Sequence, residues 1–433
     1  MAAAPGDERI VATYLIETPL DPAKVADVLA GEQSGGTFGR VAGETDDLRA
    51  RSRATVERIV ELDAAPSPSL HSAWLAGRGA TGPWRRTRVE VAFPPANLGR
   101  NLPTLAATVA GNLYDLGETT GVRLEHLALP ASFRERFDRP RQGVAGTRRL
   151  TGVASGPIAG TIVKPNVGLS AAQTAELVDA LCRAGIDFVK DDEVNADSEH
   201  APIADRIRAV MAKVRRWQDE SGKHVMVAFN VSGTHDEMLR HAELVQREGG
   251  SCVMASLNWV GFSTMQALRR STDLAIHGHR NGFGMFDRHP ALGMAFQPYQ
   301  AMWRLAGIDH LHVHGMGGKF AQRDEDVADA ARACLAPLAA ASGCDDRDDA
   351  DDRIVPAFSS GQWAGTLPRT LEVVPDGDLL FLCGGGILAH PGGPAAGVTS
   401  VRQAWAATRA GRSLADAARD APELRDALAF FGS

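Results

Sequence analysis

The chain lacks the sequence features of secreted, membrane-spanning and nucleic-acid-binding proteins. Its 433 residues include five cysteines, and no two of these have the Cys-x-x-Cys spacing of a zinc or redox site. No run of about 18 apolar residues is present, and the first residues form neither the basic nor the apolar region of a secretory signal. The net charge of −7 argues against a general nucleic-acid binder. We therefore expect a soluble cytoplasmic protein with reduced thiols and with no membrane or nucleic-acid partner.

The composition is that of a globular protein, with 44% hydrophobic and 23% charged residues. The length suggests two or three domains, or one barrel of about 250 residues with a smaller domain. In residues 1–145, strand patterns occur at 10–16, 56–62, 88–93 and 122–129, and helix patterns at 23–29 and 102–116. This mixture predicts an N-terminal α+β (ferredoxin-like) domain, in which helices cover one face of a sheet.

Three segments have little apolar periodicity. Residues 31–38 are polar and rich in glycine, which is typical of a flexible loop. Residues 133–156 are rich in Arg, Gly and Pro, so we predict an irregular connector there and a domain boundary between residues 145 and 146. The acidic run 345–352 is interpreted as a solvated loop, because it lacks the spacing of a calcium-binding loop.

Eight short apolar runs alternate with helical segments in the second part of the chain. They lie at 161–164, 186–190, 224–229, 252–256, 273–277, 309–313, 354–358 and 379–383. Ser170 and Gln173 form the pattern of a capping box before the first helix. Eight such units predict a C-terminal (β/α)8 TIM barrel over residues 146–433, with a doubly wound sheet as the alternative.

The segment 185–193 reads Gly-Ile-Asp-Phe-Val-Lys-Asp-Asp-Glu, and its short apolar run ends in a lysine that three carboxylates follow. If this segment forms a strand, Lys190 and Asp192 lie on one face and Asp191 lies on the other. Oxygen ligands for Mg2+ would be available from Asp192, Glu193 and Lys190, if CO2 converted the Lys190 amine into a carbamate. The alternative is a surface cluster of ion pairs at the end of a strand.

Polar residues and glycines also follow other predicted strands, and in a barrel these C-terminal ends meet at the active site. They are Lys164 and Asn166 after the first strand, His277, His279 and Arg280 at the fifth, His310, His312, His314 and Lys319 at the sixth, Ser359 and Gly361 after the seventh, and Gly384, Gly385 and Gly386 after the eighth. A histidine near a metal can move a proton, and an arginine and backbone N–H groups can bind phosphate. A lysine in a Gly-rich loop is typical of a mobile lid. This set indicates proton abstraction and stabilisation of an enediolate.

Several of these segments together resemble the RuBisCO large-chain superfamily. Segment 185–193 is similar to its carbamylated-lysine motif, and 161–170, Thr-Ile-Val-Lys-Pro-Asn-Val-Gly-Leu-Ser, is similar to its first-strand lysine motif. The histidine motifs, the lysine of the sixth loop, the serine of the seventh and the triple glycine match in order. Residues 32–38 resemble the family's Glu-Ser-Ser-Thr-Gly-Thr-Trp segment, and Asn112 its active-site asparagine. The resemblance covers nearly the whole chain.

The resemblance implies a role for each matching residue. Mg2+ would be bound by Asp192, Glu193 and Lys190 as its carbamate, Lys164 would transfer the proton with His279 nearby, and Lys319 would close over the site. Arg280 and His312 would bind one phosphate, and Gly361, Gly384, Gly385 and Thr37 would bind the other end of the ligand. Ser359 and Asn166 would be further substrate-binding residues. A partner subunit of a homodimer, or of a larger oligomer, would contribute Glu32, Thr37 and Asn112.

The chain departs from the CO2-fixing members at several positions. Asn166 stands where they have a second lysine, Ile162 where they have threonine, Phe283 where they have a phosphate-side histidine, and Phe38 where they have tryptophan. The lid differs at Val313, His314 and Gly315, and 320–322 lacks the acidic residue usual after the lid lysine. The chain is therefore more similar to the RuBisCO-like proteins, the form IV branch.

This branch implies a Mg2+-dependent lyase or isomerase that forms an enediolate of a phosphorylated sugar or sugar acid. We favour a decarboxylase or transcarboxylase/hydrolase acting on a substrate of the 3-oxo-isoapionate 4-phosphate type, because His314 and Asn166 suit a hydroxylated substrate. The alternative is an enolase or isomerase of a methylthio-sugar phosphate in methionine salvage. A carboxylase and a non-catalytic scaffold are further alternatives, and the retained Lys164, Lys190 and His279 argue against the scaffold.

Overall fold

The computed structural model describes residues 8–36, 41–341 and 351–432. The strands are β1 (Ile10–Thr18), β2 (Thr55–Glu61), β3 (Arg85–Phe93), β4 (Gly121–Ala128), β5 (Ile158–Ile162), β6 (Phe188–Lys190), β7 (Met226–Asn230), β8 (Cys252–Ser256), β9 (Ala275–His279), β10 (Leu292–Met294), β11 (His310–His314), β12 (Val355–Phe358) and β13 (Leu380–Leu382).

The helices are α1 (Pro22–Glu32), α2 (Asp46–Ser52), α3 (Ala73–Ala76), α4 (Leu102–Ala110), α5 (Ala131–Arg134), α6 (Gly143–Thr151), α7 (Ala171–Arg183), α8 (Ile203–Ser221), α9 (His235–Arg247), α10 (Leu257–Ser271), α11 (Gly284–Asp287), α12 (Phe296–Leu305), α13 (Asp324–Leu335), α14 (Leu338–Ala341), α15 (Leu367–Val373), α16 (Gly384–Leu388), α17 (Gly393–Arg409), α18 (Leu414–Ala417) and α19 (Pro422–Phe431). Three 3-10 helices lie at Pro95–Asn97, Asn112–Asp115 and Ala364–Thr366. None of the helices in the described ranges is both long and apolar enough to cross a membrane.

Two compact units make up the chain. The N-terminal unit consists of residues 1–138, 282–306 and 337–350, and the barrel unit consists of residues 139–281, 307–336 and 351–433. Each unit is therefore built from more than one stretch of the sequence. The predicted boundary between residues 145 and 146 stays a prediction.

The N-terminal unit contains a five-stranded sheet in the order β10-β4-β1-β3-β2. β1 pairs antiparallel with β3 and β4, and β10 pairs parallel with β4. The inward face of β1 alternates as its sequence predicts, since Ile10, Ala12, Tyr14 and Ile16 are fully buried. The buried Tyr14 hydroxyl donates a 2.8 Å hydrogen bond to the Val109 carbonyl of α4. The predicted α+β domain is confirmed.

The barrel unit contains a closed parallel barrel of eight strands, in the order β11-β12-β13-β5-β6-β7-β8-β9. The predicted (β/α)8 barrel is therefore confirmed, and the doubly wound sheet is wrong. Its apolar interior includes Phe188, Met226, Met254 and Leu380, and Val144 of α6 belongs to the same cluster. The Gly143 N–H donates to Asp309, the residue before β11, so α6 lies at the N-terminal end of the barrel.

The local structure differs from the predictions at several places, and the first barrel strand spans Ile158–Ile162 rather than 161–164. Segment 133–156 was predicted as an irregular connector, but it contains α6, whose residues Val144 and Thr147 are buried. The helix predicted over 102–116 ends at Ala110, where Gly111 leaves the helical conformation (φ −97°, ψ −125°). Strand β9 begins at Ala275 rather than at residue 273, so His277 and His279 both lie within it.

Candidate active site

Lys164 and Asp192 form an ion pair at the C-terminal ends of two neighbouring barrel strands. Strands β5 and β6 are parallel, and their register places Ile162 beside Lys190. Lys164 and Asp192 each follow those residues by two positions, so they too come together. The Lys164 Nζ lies 2.6 Å from Asp192 Oδ2 and donates a 2.7 Å hydrogen bond to Asn166 Oδ1. Three predicted site residues are thus in direct contact.

The Lys190 side chain is buried at the end of β6, with a relative exposure of 1%. Its Nζ donates to the Asp191 carbonyl at 2.8 Å and lies 3.5 Å from Glu193 Oε2. Burial lowers the pKa of Lys190, although the carboxylates of Glu193 and its neighbours oppose this effect. A lowered pKa favours the neutral amine, which is the form that reacts with CO2.

Glu193 and His279 connect the second and fifth strand ends. His279 Nε2 lies 3.5 Å from Glu193 Oε2, and the Asn281 N–H donates to His279 Nδ1 at 3.2 Å. Because Nδ1 accepts this bond, the proton of a neutral ring is on Nε2 and faces Glu193. Burial first, and then the charge of Lys190, hold the pKa of His279 well below its usual value. His279 is therefore neutral near pH 7.

Asp191 points away from the other carboxylates, as the strand alternation predicts, and pairs with the fully buried Arg206 at 3.2 Å. Arg206 also donates to the Ala201 carbonyl, which holds the loop after Glu193. The Asn230 amide nitrogen donates to the carbonyls of Asp192 and Glu193 at 3.1 and 3.2 Å. We did not identify Arg206 or Asn230 from the sequence. Asn230 is the last residue of β7, so reading the third strand end like the others would have found it.

The ends of β11 and β12 carry the only two non-glycine residues with positive φ in the described chain, His314 and Ser360, both at 69°. The Ser359 N–H donates to the His314 carbonyl at 2.9 Å, and the Lys319 N–H donates to the Ser360 carbonyl at 3.2 Å. These bonds hold the loop that carries Lys319 against the end of β12. Such conformations cost free energy and concentrate at functional sites.

The predicted ligand-binding residues lie around the same strand ends. Arg280 is buried and donates to Gln322 Oε1 at 2.8 Å, and His312 Nδ1 is 3.0 Å from Ser359 Oγ. A side-chain carbon built at Gly384 would lie 3.6 Å from Lys164 Cε, whereas one at Gly385 would have no atom within 4 Å.

Glycines 361 and 386 are required by their surroundings. Gly361 has φ of 89°, in the region that favours glycine, and lies beside Lys319. A side-chain carbon at Gly386 would lie 2.3 Å from the Gln362 carbonyl oxygen, so glycine allows the loops after β12 and β13 to approach each other.

The residues predicted to act in a partner subunit are Glu32, Thr37 and Asn112. Glu32, the last residue of α1, and Asn112, the first of a 3-10 helix, both belong to the N-terminal unit and are exposed. Thr37 lies outside the described residues.

The side chains at the barrel's strand ends suit a divalent metal with oxygen ligands. Within residues 8–36, 41–341 and 351–432, no three His, Cys, Asp or Glu side chains are grouped to hold a metal ion. Asp192 and Glu193 supply two carboxylates, and a carbamate on Lys190 would supply the third anionic group. With such a carbamate, the arrangement would combine a metal site with two groups that can carry a proton, Lys164 and His279, as the formation and protonation of an enolate require.

Comparisons with known proteins identify the family. The model of the ribulose bisphosphate carboxylase large chain, catalytic domain, matches residues 143–431, and that of the N-terminal domain matches residues 2–133. A 3-oxo-isoapionate-4-phosphate transcarboxylase/hydrolase of Xanthobacter autotrophicus is 47% identical over 426 residues, covering 98% of this chain and 99% of that protein. A 3-oxo-isoapionate-4-phosphate decarboxylase of Rhizobium rhizogenes is 41% identical over 424 residues, covering 98% of both chains.

A solved structure is also similar over the whole length. The crystal structure of a rubisco-like protein from Burkholderia fungorum has a TM-score of 0.91 and 63% sequence identity, and the match covers 98% of this chain and 100% of that chain.

Proposed function

We propose, from the premise that this chain belongs to the ribulose bisphosphate carboxylase large-chain family, that it removes the carboxyl group of 3-oxo-isoapionate 4-phosphate. The product is either free CO2, as for a decarboxylase, or a transferred and hydrolysed carboxyl group. The observation that carries this proposal is the full-length similarity to enzymes named for that substrate, at 47% and 41% identity. The chain is thus proposed as a RuBisCO-like enzyme that does not fix CO2.

A 3-oxo acid is a suitable substrate for this group of side chains. When its bond to the carboxyl group breaks, the electron pair moves onto the ketone oxygen as an enolate, which must be stabilised and then protonated on carbon. Mg2+, when bound by Asp192, Glu193 and a carbamate on Lys190, would supply Lewis-acid stabilisation of this negative charge. The burial of Lys190 and its contact with Glu193 support that metal site.

Lys164 holds the proton in this proposal. Its ammonium group bonds to Asp192 and Asn166, which fix its position beside the proposed metal site. We assign it the transfer of a proton to the enolate carbon. His279 is neutral and directs its Nε2–H toward Glu193, so it holds a second proton close to the reacting atoms.

The remaining residues would bind the ends of the substrate. Arg280 offers planar N–H donors to a phosphate. Gly384 lies beside Lys164, and the space around Gly385 is open, so an anion could approach the backbone N–H groups of both glycines. Ser359, Gly361 and Lys319 lie together at the end of β12, where Lys319 would close over the substrate. His312, whose Nδ1 is 3.0 Å from Ser359 Oγ, is proposed to support the binding of the ligand at the same end.

We further propose a homodimer, or a larger oligomer, in which Glu32, Thr37 and Asn112 of one subunit complete the site of the next. Glu32 and Asn112 are exposed, so their side chains are accessible to a second subunit, which supports this proposal. The cytoplasm is the proposed location, since Cys182, Cys252 and Cys383 are buried free thiols.

The test supplies purified protein with 3-oxo-isoapionate 4-phosphate, Mg2+ and bicarbonate, and measures CO2 together with the phosphorylated products. CO2 without a carboxylated product would identify a decarboxylase, and a carboxylated product would identify a transcarboxylase. Ribulose 1,5-bisphosphate and a diketo methylthiopentyl phosphate serve as comparison substrates. The proposal is wrong if the first substrate is unchanged, or if Lys190→Ala retains the activity.

A further inference from the structure

A continuous chain of hydrogen bonds crosses the barrel interior from α6 to the end of β12. It runs from Thr147 through His310, His277 and His312 to Ser359. The successive distances are 2.8 Å between Thr147 Oγ1 and His310 Nε2, 3.3 Å between the Nδ1 atoms of His310 and His277, 2.8 Å between the Nε2 atoms of His277 and His312, and 3.0 Å between His312 Nδ1 and Ser359 Oγ. All five side chains are at least 95% buried.

The direction of these bonds is determined at the α6 end. The Thr147 hydroxyl has a single hydrogen, and it donates this hydrogen to the Gly143 carbonyl at 2.5 Å. Thr147 Oγ1 can therefore only accept from the next group, so His310 carries its proton on Nε2. Because burial lowers the pKa of His310 to about 3, its ring is neutral and its Nδ1 has no proton.

Each later bond follows from the one before it. His310 Nδ1 accepts, so His277 donates from Nδ1. Burial holds the pKa of His277 well below its usual value, so the ring is neutral and its Nε2 is an acceptor. His312 then donates from Nε2 to His277, and its Nδ1 is the acceptor for Ser359. The Ser359 hydroxyl must therefore donate its hydrogen into the barrel. Ser360 Oγ, at 3.3 Å, is the remaining side-chain partner of Ser359.

We propose that Thr147, His310 and His277 are positioning residues that fix Ser359 as a hydrogen-bond acceptor toward the substrate. With its hydrogen directed at His312, Ser359 presents only lone pairs at the strand ends. It can accept from a hydroxyl group of the substrate, but it cannot donate to a phosphate, carboxylate or enolate oxygen. This inference rests on the proposed function and specifies that a substrate hydroxyl, rather than an anionic group, lies against Ser359.

The same order of bonds constrains His312. Its Nε2–H is directed at His277 and its Nδ1 accepts from Ser359, so neither nitrogen offers an N–H to a phosphate. In this arrangement His312 contributes through Ser359, and phosphate binding is left to Arg280 and the backbone N–H groups.

The spectroscopic test uses protein labelled with 15N in its histidine rings, without substrate. Two-bond 1H–15N correlations distinguish the Nδ1–H and Nε2–H tautomers, and the signals are assigned by their loss in His277→Gln and His310→Gln. The expected result is Nδ1–H for His277 and Nε2–H for His310. An Nε2–H or a doubly protonated His277 would overturn the proposal. Because no substrate is present, this result is independent of whether the proposed reaction occurs.

The kinetic test compares Thr147→Val, which removes the hydroxyl, with Thr147→Ser, which keeps it. In Thr147→Val the order of bonds is no longer fixed. In some of the molecules Ser359 then directs its hydrogen at the substrate and cannot accept from the substrate hydroxyl. We expect KM to rise about tenfold with kcat within about twofold, the effect of one substrate hydrogen bond. Thr147→Ser should return KM to the wild-type value. Equal KM values for all three proteins, or a Thr147→Ser enzyme as impaired as Thr147→Val, would contradict the positioning role.

If Thr147→Val does not fold, the tautomer of His277 in the wild type and the KM of Thr147→Ser still decide the matter. If CO2 release is absent but His277 carries its proton on Nδ1, the proposed reaction fails while the fixed order of bonds stands. If CO2 is released but His277 carries its proton on Nε2, the proposed reaction stands and the fixed order of bonds is wrong.

Discussion

Lys164 Nζ lies 2.6 Å from Asp192 Oδ2, although 28 residues separate the two in the sequence. The pairing of β5 with β6 brings them together, since each lies two positions beyond the paired residues Ile162 and Lys190. The contact ties the proposed proton donor to a proposed metal ligand. A change at either residue therefore alters both parts of the site.

Removing the Lys164 ammonium group should abolish proton transfer without unfolding the barrel. Lys164→Met is expected to reduce kcat by about 10²- to 10⁴-fold, the usual contribution of a general acid. The measurement is CO2 release, with exchange of substrate protons in D2O as a second readout. Lys223→Met is the matched control, because Lys223 is exposed after α8, and it should retain activity within about twofold. Comparable losses in both variants would argue against the role of Lys164.

Breaking the buried Arg206–Asp191 pair should destabilise the barrel unit. Arg206→Met leaves the Asp191 carboxylate buried without its partner, so we expect a loss of about 3–5 kcal/mol in the free energy of unfolding by urea. Arg206→Met combined with Asp191→Asn should lose less than Arg206→Met alone, because no unpaired charge remains. Arg208→Met, on the exposed face of α8, should change stability by less than about 0.5 kcal/mol. A double variant no more stable than Arg206→Met would contradict this account.

The buried His310 should make the stability of the barrel unit sensitive to acid. Its folded pKa of about 3 is lower than the usual 6.5, so the unfolded chain takes up a proton that the folded chain does not. The contribution of His310 is thus fully present above pH 6.5 and is lost as the pH falls toward 3. We expect the slope of unfolding free energy against pH in this window to decrease in His310→Gln by up to about 1.4 kcal/mol per pH unit. A slope in His310→Gln equal to that of the wild type would contradict this account.

Two adjacent glycines should respond differently to alanine. Gly386→Ala places a carbon 2.3 Å from the Gln362 carbonyl oxygen, so it should lower stability by about 1–3 kcal/mol through overpacking. Gly385→Ala meets no atom within 4 Å and should leave the melting temperature unchanged, but it should raise KM if the backbone there approaches the substrate. Thermal melting and substrate titration of the two variants check this. Loss of stability in Gly385→Ala would show that the open space is needed for folding.

Sequence patterns predicted the barrel well because its strands are short apolar runs that repeat with their helices. The capping box of Ser170 and Gln173 is present as predicted, and so is the opposite orientation of Asp191. Both depend on local geometry, namely the start of a helix and the alternation of a strand. The residues that the structure brings together around Lys164 and Lys190 were predicted from the C-terminal ends of the strands, and the family resemblance added their roles.

The features that were not predicted depend on distant contacts. Strand β10 has three residues, Leu292–Met294, and its pairing with β4 cannot be read from so short a segment. Helix α6 carries Gly and Arg, and it is held by the barrel interior around Val144 rather than by its own propensity. The Arg206–Asp191 pair joins a helix to a strand end, and the order of the histidine bonds depends on Thr147 at the far end of the barrel. No local pattern in the sequence contains this information.

The N-terminal unit is built from separate stretches of the sequence, and this limits where recombination between related genes can yield a folded protein. Its sheet takes β10 from the segment 282–306, which lies in the sequence between two barrel strands. Arg123 of β4 donates to the His289 carbonyl and pairs with Asp287, so this contact joins residues more than 160 positions apart. A single recombination crossover between residues 138 and 282 would therefore combine β4 of one parent with β10 of another. Viable chimeras should need two further crossovers that move residues 282–306 together with the first 138 residues.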